Sequence, residues 1–326
     1  MNVKLGKIAE RCLAGEKIDR DEIDVVLAQS RSNLFDVLYW ANKIRERFFG
    51  NRVKVCGIVP GRFGGCDQDC KFCAQSARYD AGRIKTRTLS DEEMLKAAEQ
   101  AKLNGVRSFG IVYSGRTAGD EEIDRLCGVI RQIRERFGLR VCAGLGLISG
   151  EQAKRLARAG LTGYNHNLET SERHFGDIVT THTYGDRVKT IEAAQAAGLR
   201  VCAGGIFGIG EMEDDRVDMA LELRRLGVDT VPMNFLHPIE GTPMGTMKTP
   251  APMEALRIVA VYRFILPQTT LKIAGGRILN LRDLQSWMFY AGANSMMIGN
   301  YLATAGRAVE QDMQMLKDLA LEVDVD

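Results

Sequence analysis

From about residue 51 onward the chain repeats one pattern, a short apolar run followed by a longer amphipathic one. The apolar runs read VKVCGIV, SFGIVYS, LRVCAGL, GYNHNL, LRVCAGGIFGIG, TVPMNFL, LKIAGG and SMMIG. Between them lie stretches such as SDEEMLKAAEQAKLNG, DEEIDRLCGVIRQIRERFG, YGDRVKTIEAAQAAG and APMEALRIVAVYRFIL, several opening on Ser or Asp and closing on Gly. Those are helix caps: a short side-chain oxygen satisfies the free N–H groups of a first turn, and glycine takes up the left-handed backbone that ends a last one. Apolar runs without polar alternation predict strands covered on both faces, hence a parallel sheet. Eight such strands, at roughly 30 residues per unit, predict a (β/α)8 TIM-type barrel, with an open doubly wound sheet as the rival. Helix-period spacing in IDRDEIDVVLAQ and NLFDVLYWANKIRERF predicts an N-terminal helical extension over 1–50. The barrel is expected over 51–305 and a C-terminal helix over 306–326, all within a single structural domain.

Charge narrows the partners. The 44 basic and 42 acidic residues nearly balance, and no Lys/Arg block forms a nucleic-acid or membrane footprint. Charges run through the first 30 residues and no apolar run reaches transmembrane length, so a cytoplasmic enzyme for a small molecule is expected. Eight cysteines in such a chain point to metal binding or catalysis rather than to a disulfide framework, because that compartment keeps thiols reduced.

Three of them follow the first predicted strand in GRFGGCDQDCKFCAQSARYD, where Cys66, Cys70 and Cys73 are spaced CxxxCxxC. Three thiolates leave a tetrahedral zinc site one ligand short unless a remote residue closes it. They can instead hold three irons of a 4Fe-4S cube and leave the fourth open. Gly64 and Gly65 let backbone approach a bulky cluster. A loop after the first strand stands at the C-terminal mouth of a (β/α)8 barrel, where such enzymes build their sites.

CxxxCxxC after the first strand, with Phe72 directly before the third cysteine, resembles the radical S-adenosylmethionine superfamily. The resemblance implies that S-adenosylmethionine chelates the open iron and is cleaved by an electron to a 5'-deoxyadenosyl radical. CAQSARY, YNHNLETS at Tyr164 to Ser171, TTHTYGDR at Thr180 to Arg187, VCAGGIFGIGE at Val201 to Glu211 and YAGANSMMIGNYL at Tyr290 to Leu302 together resemble the biotin synthase family. That implies radical insertion of sulfur into dethiobiotin. It also implies a reducing flavodoxin or ferredoxin, Fe-S assembly proteins and a homodimer.

Residue by residue, the resemblance makes Asn165, Asn167 and Glu169 ligands for the cofactor ribose and the substrate, with Glu169 standing where the family has Asp. Strand alternation would put the three on one face. Arg187 matches an arginine for the cofactor carboxylate, Asn234 a substrate-binding asparagine, and Gly204 and Gly205 a surface free of side chains for the cofactor. The four histidines are expected to be structural or supporting, with only His166 inside a functional motif.

A further repeat concerns thiols: KVC at Lys54 to Cys56, RVC at Arg140 to Cys142 and RVC at Arg200 to Cys202. These fall on the first, third and fifth predicted strands, and barrel interiors stack in layers supplied by alternate strands. The three cysteines are therefore expected in one layer, with Lys272 of the seventh strand as the fourth member and an anionic cluster as its counter-charge. Small core cysteines are the plainer alternative. The family resemblance implies a second, 2Fe-2S cluster held by three cysteines and an arginine. Cys142 and Cys202 match two of them, the second strand carries no cysteine, and Lys272 occupies the arginine position. Cys56 is then expected to supply the missing thiol to an auxiliary Fe-S cluster, either 2Fe-2S or four-iron with an additional sulfide. Cys12 and Cys127 read as structural. Two rival functions remain, a related radical isomerase or hydrogenase maturase and a non-enzymatic iron-sulfur redox sensor.

Overall fold

The computed structural model describes residues 2–81, 85–300, 304 and 306–324. Tyr301 and Leu302, the last residues of the YAGANSMMIGNYL motif, fall outside that range, as do Ala305 and the final two residues of the expected C-terminal segment.

Eight parallel strands close into a barrel: β1 (Arg52–Phe63), β2 (Ser108–Tyr113), β3 (Arg140–Gly144), β4 (Gly163–Asn165), β5 (Arg200–Cys202, resuming at Gly205–Phe207), β6 (Thr230–Phe235), β7 (Thr270–Ile273) and β8 (Ser295–Met297). Closure is by β8 against β1, with Lys54 level with Ser295 and Cys56 with Met297. Val53, Val55 and Val59 of β1 are buried on the outward face beneath helices, and Lys54 and Cys56 alternate with them. The caps read from sequence are present: Ser90, Ser149 and Thr183 each accept from the third residue of their helix. Gly138 and Gly227 end theirs in left-handed backbone, with φ 67° and 63°.

Three N-terminal helices, Val3–Leu13, Arg20–Ser32 and Leu34–Phe49, precede β1. The regular strand within GYNHNL stops at Asn165; His166 N and Leu168 N still donate to Cys202 O and Gly204 O of β5, and Glu169 then turns the chain through a left-handed φ of 70° while its carbonyl accepts from the Ile206 amide. The chain then forms a helix, Glu172–Ile178, that apolar spacing does not announce. At the C-terminal end a helix, Val309–Asp318, is tied down by an ion pair between Asp312 and Arg277, both wholly buried. Beyond it Glu322–Val323 adds a short strand beside the start of β1.

The register fixes the interior layers. Around the barrel Cys56 stands level with Ser108, Gly110 with Cys142, Cys142 with Gly163, Asn165 with Cys202, Cys202 with Thr230, Pro232 with Lys272, and Lys272 with Ser295. Each step of two residues falls between an even strand and the next odd one, the stagger that a tilted closed barrel requires. Cys56, Cys142, Cys202 and Lys272 therefore share one layer. Lys54, Arg140, Arg200 and Thr270 share the layer below.

Candidate active site

At the C-terminal mouth the CxxxCxxC loop folds on itself: the Cys66 amide donates to Gln75 O at 2.9 Å, Ala77 N to Cys66 O at 2.7 Å and Cys73 N to Cys70 O at 2.9 Å. Gly64 and Gly65, at φ 72° and 60°, turn the chain into this loop through backbone that a side chain would strain. Cys66, Cys70, Phe72 and Cys73 line an upper cavity of about 340 Å³ together with Asn165, Asn167, Glu169, Arg187 and Asn234. Burial pushes the Cys70 thiol up to about 12 and the Cys73 thiol up to about 11. Neighbouring thiols add to both shifts, and Arg187 opposes that of Cys70. Such thiols ionise only against added positive charge, which an iron-sulfur cluster supplies. Among the described residues no three His, Cys, Asp or Glu side chains close on a single ion. The three thiols border a cavity.

Two loops hold this arrangement. Asp69, inside the cysteine motif, accepts from the amides and hydroxyls of Thr180 and Thr181. Against its partial burial, those donors hold the carboxyl well below the usual range. Replacing Asp69 with Ala is expected to destabilise the chain by about 1–3 kcal/mol, read by urea denaturation at neutral pH. Because the native carboxyl titrates below its ordinary value, this contribution is fully present above that range and is lost as pH falls through the native value. His182 continues the link: its Nδ1 donates to Gln68 Oε1 at 2.8 Å, and its Nε2 accepts from Arg187 Nε at 3.1 Å. Burial, aided by Arg187, lowers His182 to about 4, so the ring is a neutral acceptor at physiological pH.

Arg187 also donates to Asn167 O at 2.8 Å and faces Glu169 Oε1 at 3.5 Å. Burial raises the Glu169 carboxyl, against the pull of Arg187 and the Asn167 amide. Glu169 reaches Asn167 Nδ2 at 3.3 Å, so its extra methylene is accommodated by the left-handed turn. Asn234 is committed to backbone, donating to Gly205 O at 3.1 Å and accepting from Gly275 N at 2.9 Å. Buried His166 lines the same cavity, and among the described residues its Nε2 has no hydrogen-bond partner, an orphaned polar atom that suits a bound ligand.

Gly204 and Gly205 stand behind the lining. A Cβ on Gly204 would lie 2.1 Å from Pro232 O, and one on Gly205 would lie 2.5 Å from Glu169 O. They break β5 so that the β4–β5–β6 backbones can approach. Gly204→Ala is expected to cost about 1–3 kcal/mol in thermal or urea unfolding, because a carbonyl cannot step aside as a side-chain end can.

Deeper in the barrel, Lys272 Nζ donates to Cys202 Sγ at 3.2 Å, and Ser108 Oγ lies 3.5 Å from Cys142 Sγ. Burial pushes the Cys56 and Cys202 thiols up, and Lys272 pulls both partly back. Lys272 itself is held above its ordinary value, against burial, by Cys202, Cys56 and Cys142. Cys202 and Lys272 line both the upper cavity and a lower one of about 110 Å³ that Cys56 and Cys142 also border. Three thiols converging on one cation fit an anionic cluster with three protein ligands. Cys12 and Cys127 are buried in helices outside both cavities.

Sequence reading missed Gln68, Asp69 and the bond from His182 to Arg187. The polar run DQD inside the cysteine motif and the paired threonines of TTHTYGDR were the available signals.

A closed parallel barrel with three loop cysteines above β1 defines a radical S-adenosylmethionine enzyme. The radical SAM superfamily model matches residues 62–224, and that of the Biotin and Thiamin Synthesis associated domain matches 232–322. The biotin synthase of Geobacter metallireducens is 44% identical over 324 residues, covering 99% of this chain and 98% of that protein. That of Geobacter sulfurreducens is 46% identical over 318 residues, covering 97% and 96%. This chain belongs to the biotin synthase family. Among solved structures, methylornithine synthase superposes with TM-score 0.84 at 20% identity, covering 97% of each chain. The FeFe-hydrogenase maturase of Carboxydothermus hydrogenoformans gives 0.82 at 18%, covering 98% of this chain and 78% of its own. At those identities the likeness is one of fold. Among the described residues no helix is long and apolar enough to cross a membrane.

Proposed function

We propose that this chain forms biotin by inserting sulfur into dethiobiotin, with Cys66, Cys70 and Cys73 holding a 4Fe-4S cluster and Cys56, Cys142 and Cys202 holding an auxiliary one. The observation that carries it is the stacking of two thiol sets along one lumen, joined by Cys202 and Lys272, which line both cavities. When bound, the upper cluster supplies the electron that cleaves S-adenosylmethionine and the inner cluster supplies the sulfur.

The chain's own residues do the rest. Arg187, fixed by His182 and Asn167 O, offers its guanidinium to the cofactor carboxylate. Asn167 and Glu169 present an amide and a carboxylate suited to ribose hydroxyls, while Asn165 offers a donor and an acceptor to a ureido group and Asn234, its amide held by Gly205 O and Gly275 N, has one N–H and one lone pair left for it. Phe72 walls the cysteine loop. The auxiliary cluster we favour is four-iron with an additional sulfide, because Lys272 as an ammonium is a counter-charge rather than a ligand, leaving three protein thiolates. A reducing flavodoxin or ferredoxin and Fe-S assembly proteins complete the system. Exposed Phe35, Trp287 and Tyr290, packed edge-to-face, support a homodimer.

Anaerobic incubation of the reconstituted protein with S-adenosylmethionine, reductant and dethiobiotin is expected to yield biotin together with deoxyadenosine. Deoxyadenosine without biotin would instead favour a radical isomerase, and neither product a redox sensor.

A further inference from the structure

The lower cavity reaches past the inner thiols to the N-terminal end of the strands, opposite the cysteine loop, and the layer beneath those thiols has been given no task. Its walls carry Lys54, Arg140 and Arg200, the first letters of KVC, RVC and RVC. Each stands two residues before a cysteine, so strand alternation turns it to the same interior face, one layer lower. Serine and threonine hydroxyls from the even strands, Ser108, Thr230 and Ser295, fill the spaces between. Barrel layers are ordinarily filled by bulky aliphatic side chains. Arg200 has an ion pair with Asp229 at 3.3 Å. Lys54 and Arg140 have neither an ion pair nor a side-chain hydrogen bond among the described residues. Asp229 and Asp324 also line the cavity, and both attract Lys54. Against Lys54, Arg140 and Arg200 these two carboxylates leave a surplus of positive charge facing a cavity inside the barrel, which is unfavourable unless an anion visits it.

We propose that this layer is an anion site that admits hydrosulfide to the thiol cage from the N-terminal mouth. The destination rests on the function proposed above, and the anion site rests on the geometry alone. Each biotin removes one sulfur atom, so the cage has to be resupplied. The upper cavity is the place for cofactor and substrate, and entry from below leaves both seated. At about 110 Å³ the cavity has room for an anion of a few atoms. The cationic layer repels ferrous iron, so it sorts sulfur from metal. Hydrosulfide enters as the anion it already is, and the layer performs no redox or covalent step.

The test uses two reagents of nearly the same size, the anionic iodoacetate and the neutral iodoacetamide, on the cluster-free full chain, with peptide mass spectrometry locating the product. In the wild-type protein iodoacetate is favoured at Cys142 and Cys202. In Lys54→Gln/Arg140→Gln the iodoacetate-to-iodoacetamide ratio at those thiols is expected to fall about tenfold, and the difference to shrink in about 1 M salt. The ratio at Cys66, Cys70 and Cys73 stays unchanged and serves as the internal control. A second arm supplies isotopically labelled hydrosulfide to holoenzyme without S-adenosylmethionine and follows label in acid-labile sulfide, expected about tenfold slower in the double variant at equal cluster content. An unchanged alkylation ratio, or equal exchange rates, overturns the proposal. Failure of the wild-type protein to form biotin would fall on the proposed function and leave the alkylation result standing.

Discussion

Replacing Cys56 with alanine should leave S-adenosylmethionine cleavage running and stop biotin formation. The two thiol sets occupy different ends of the lumen, with Cys66, Cys70 and Cys73 lining only the upper cavity and Cys56 only the lower. Removing Cys56 leaves Cys142 and Cys202 as the remaining thiols of their layer, too few to hold a cluster that depends on three. Biotin formed per chain is expected to fall by about a hundredfold or more, beyond the loss that removal of a mere supporting group brings. Iron and sulfide counts should drop by the auxiliary share alone, with the upper cluster's Mössbauer signal intact. A Cys56→Ala protein that keeps its full auxiliary cluster sinks the assignment. Cys142→Ala is the control, expected to give the same loss.

The legible part of this molecule was what neighbouring residues decide. Apolar runs, capping serines and the CxxxCxxC loop are local, and counting strands was enough to expect Cys56, Cys142, Cys202 and Lys272 at one height, where the register places them. The illegible part depends on distant backbone. GYNHNL reads as a strand throughout, yet the regular strand ends at Asn165 and the chain turns at Glu169, whose carbonyl accepts from Ile206 N, a contact fixed only once β5 is alongside. Gly204 and Gly205 read as a cofactor surface, but their need for no side chain comes from Pro232 O and Glu169 O pressing from neighbouring segments. Asp69 reads as one polar residue of a loop until the chain brings Thr180 and Thr181 to it across 111 and 112 residues. The lower cations were in view from the outset as the first letters of a repeat. Only closure of the barrel turns three separate strand starts into one layer.

Replacing Lys272 with methionine should weaken the auxiliary cluster without touching the upper one. Lys272 is the cation nearest the inner thiols, 3.2 Å from Cys202 Sγ, and it draws the Cys56 and Cys202 thiols down against burial. Methionine fills comparable space with no charge, so both thiols move further above their ordinary range. Iron is bound by thiolate and not by thiol, which makes cluster assembly release protons and depend on pH. Auxiliary-cluster affinity is therefore expected to fall about tenfold at neutral pH, the scale of one charge-assisted hydrogen bond lost from a buried pair. Reconstitution should recover as pH rises, because the proton that Lys272 helped to displace is then removed by the solvent. Lys272→Arg keeps the charge and should hold the wild-type content, and with three thiols still in place it should hold the same cluster type. Anaerobic reconstitution across pH, followed by auxiliary iron content and by deoxyadenosine formation as the upper-site control, separates these outcomes. Wild-type auxiliary iron in Lys272→Met at every pH would mean that the cluster takes its counter-charge elsewhere, and the neighbouring layer of Lys54, Arg140 and Arg200 would be the first place to look.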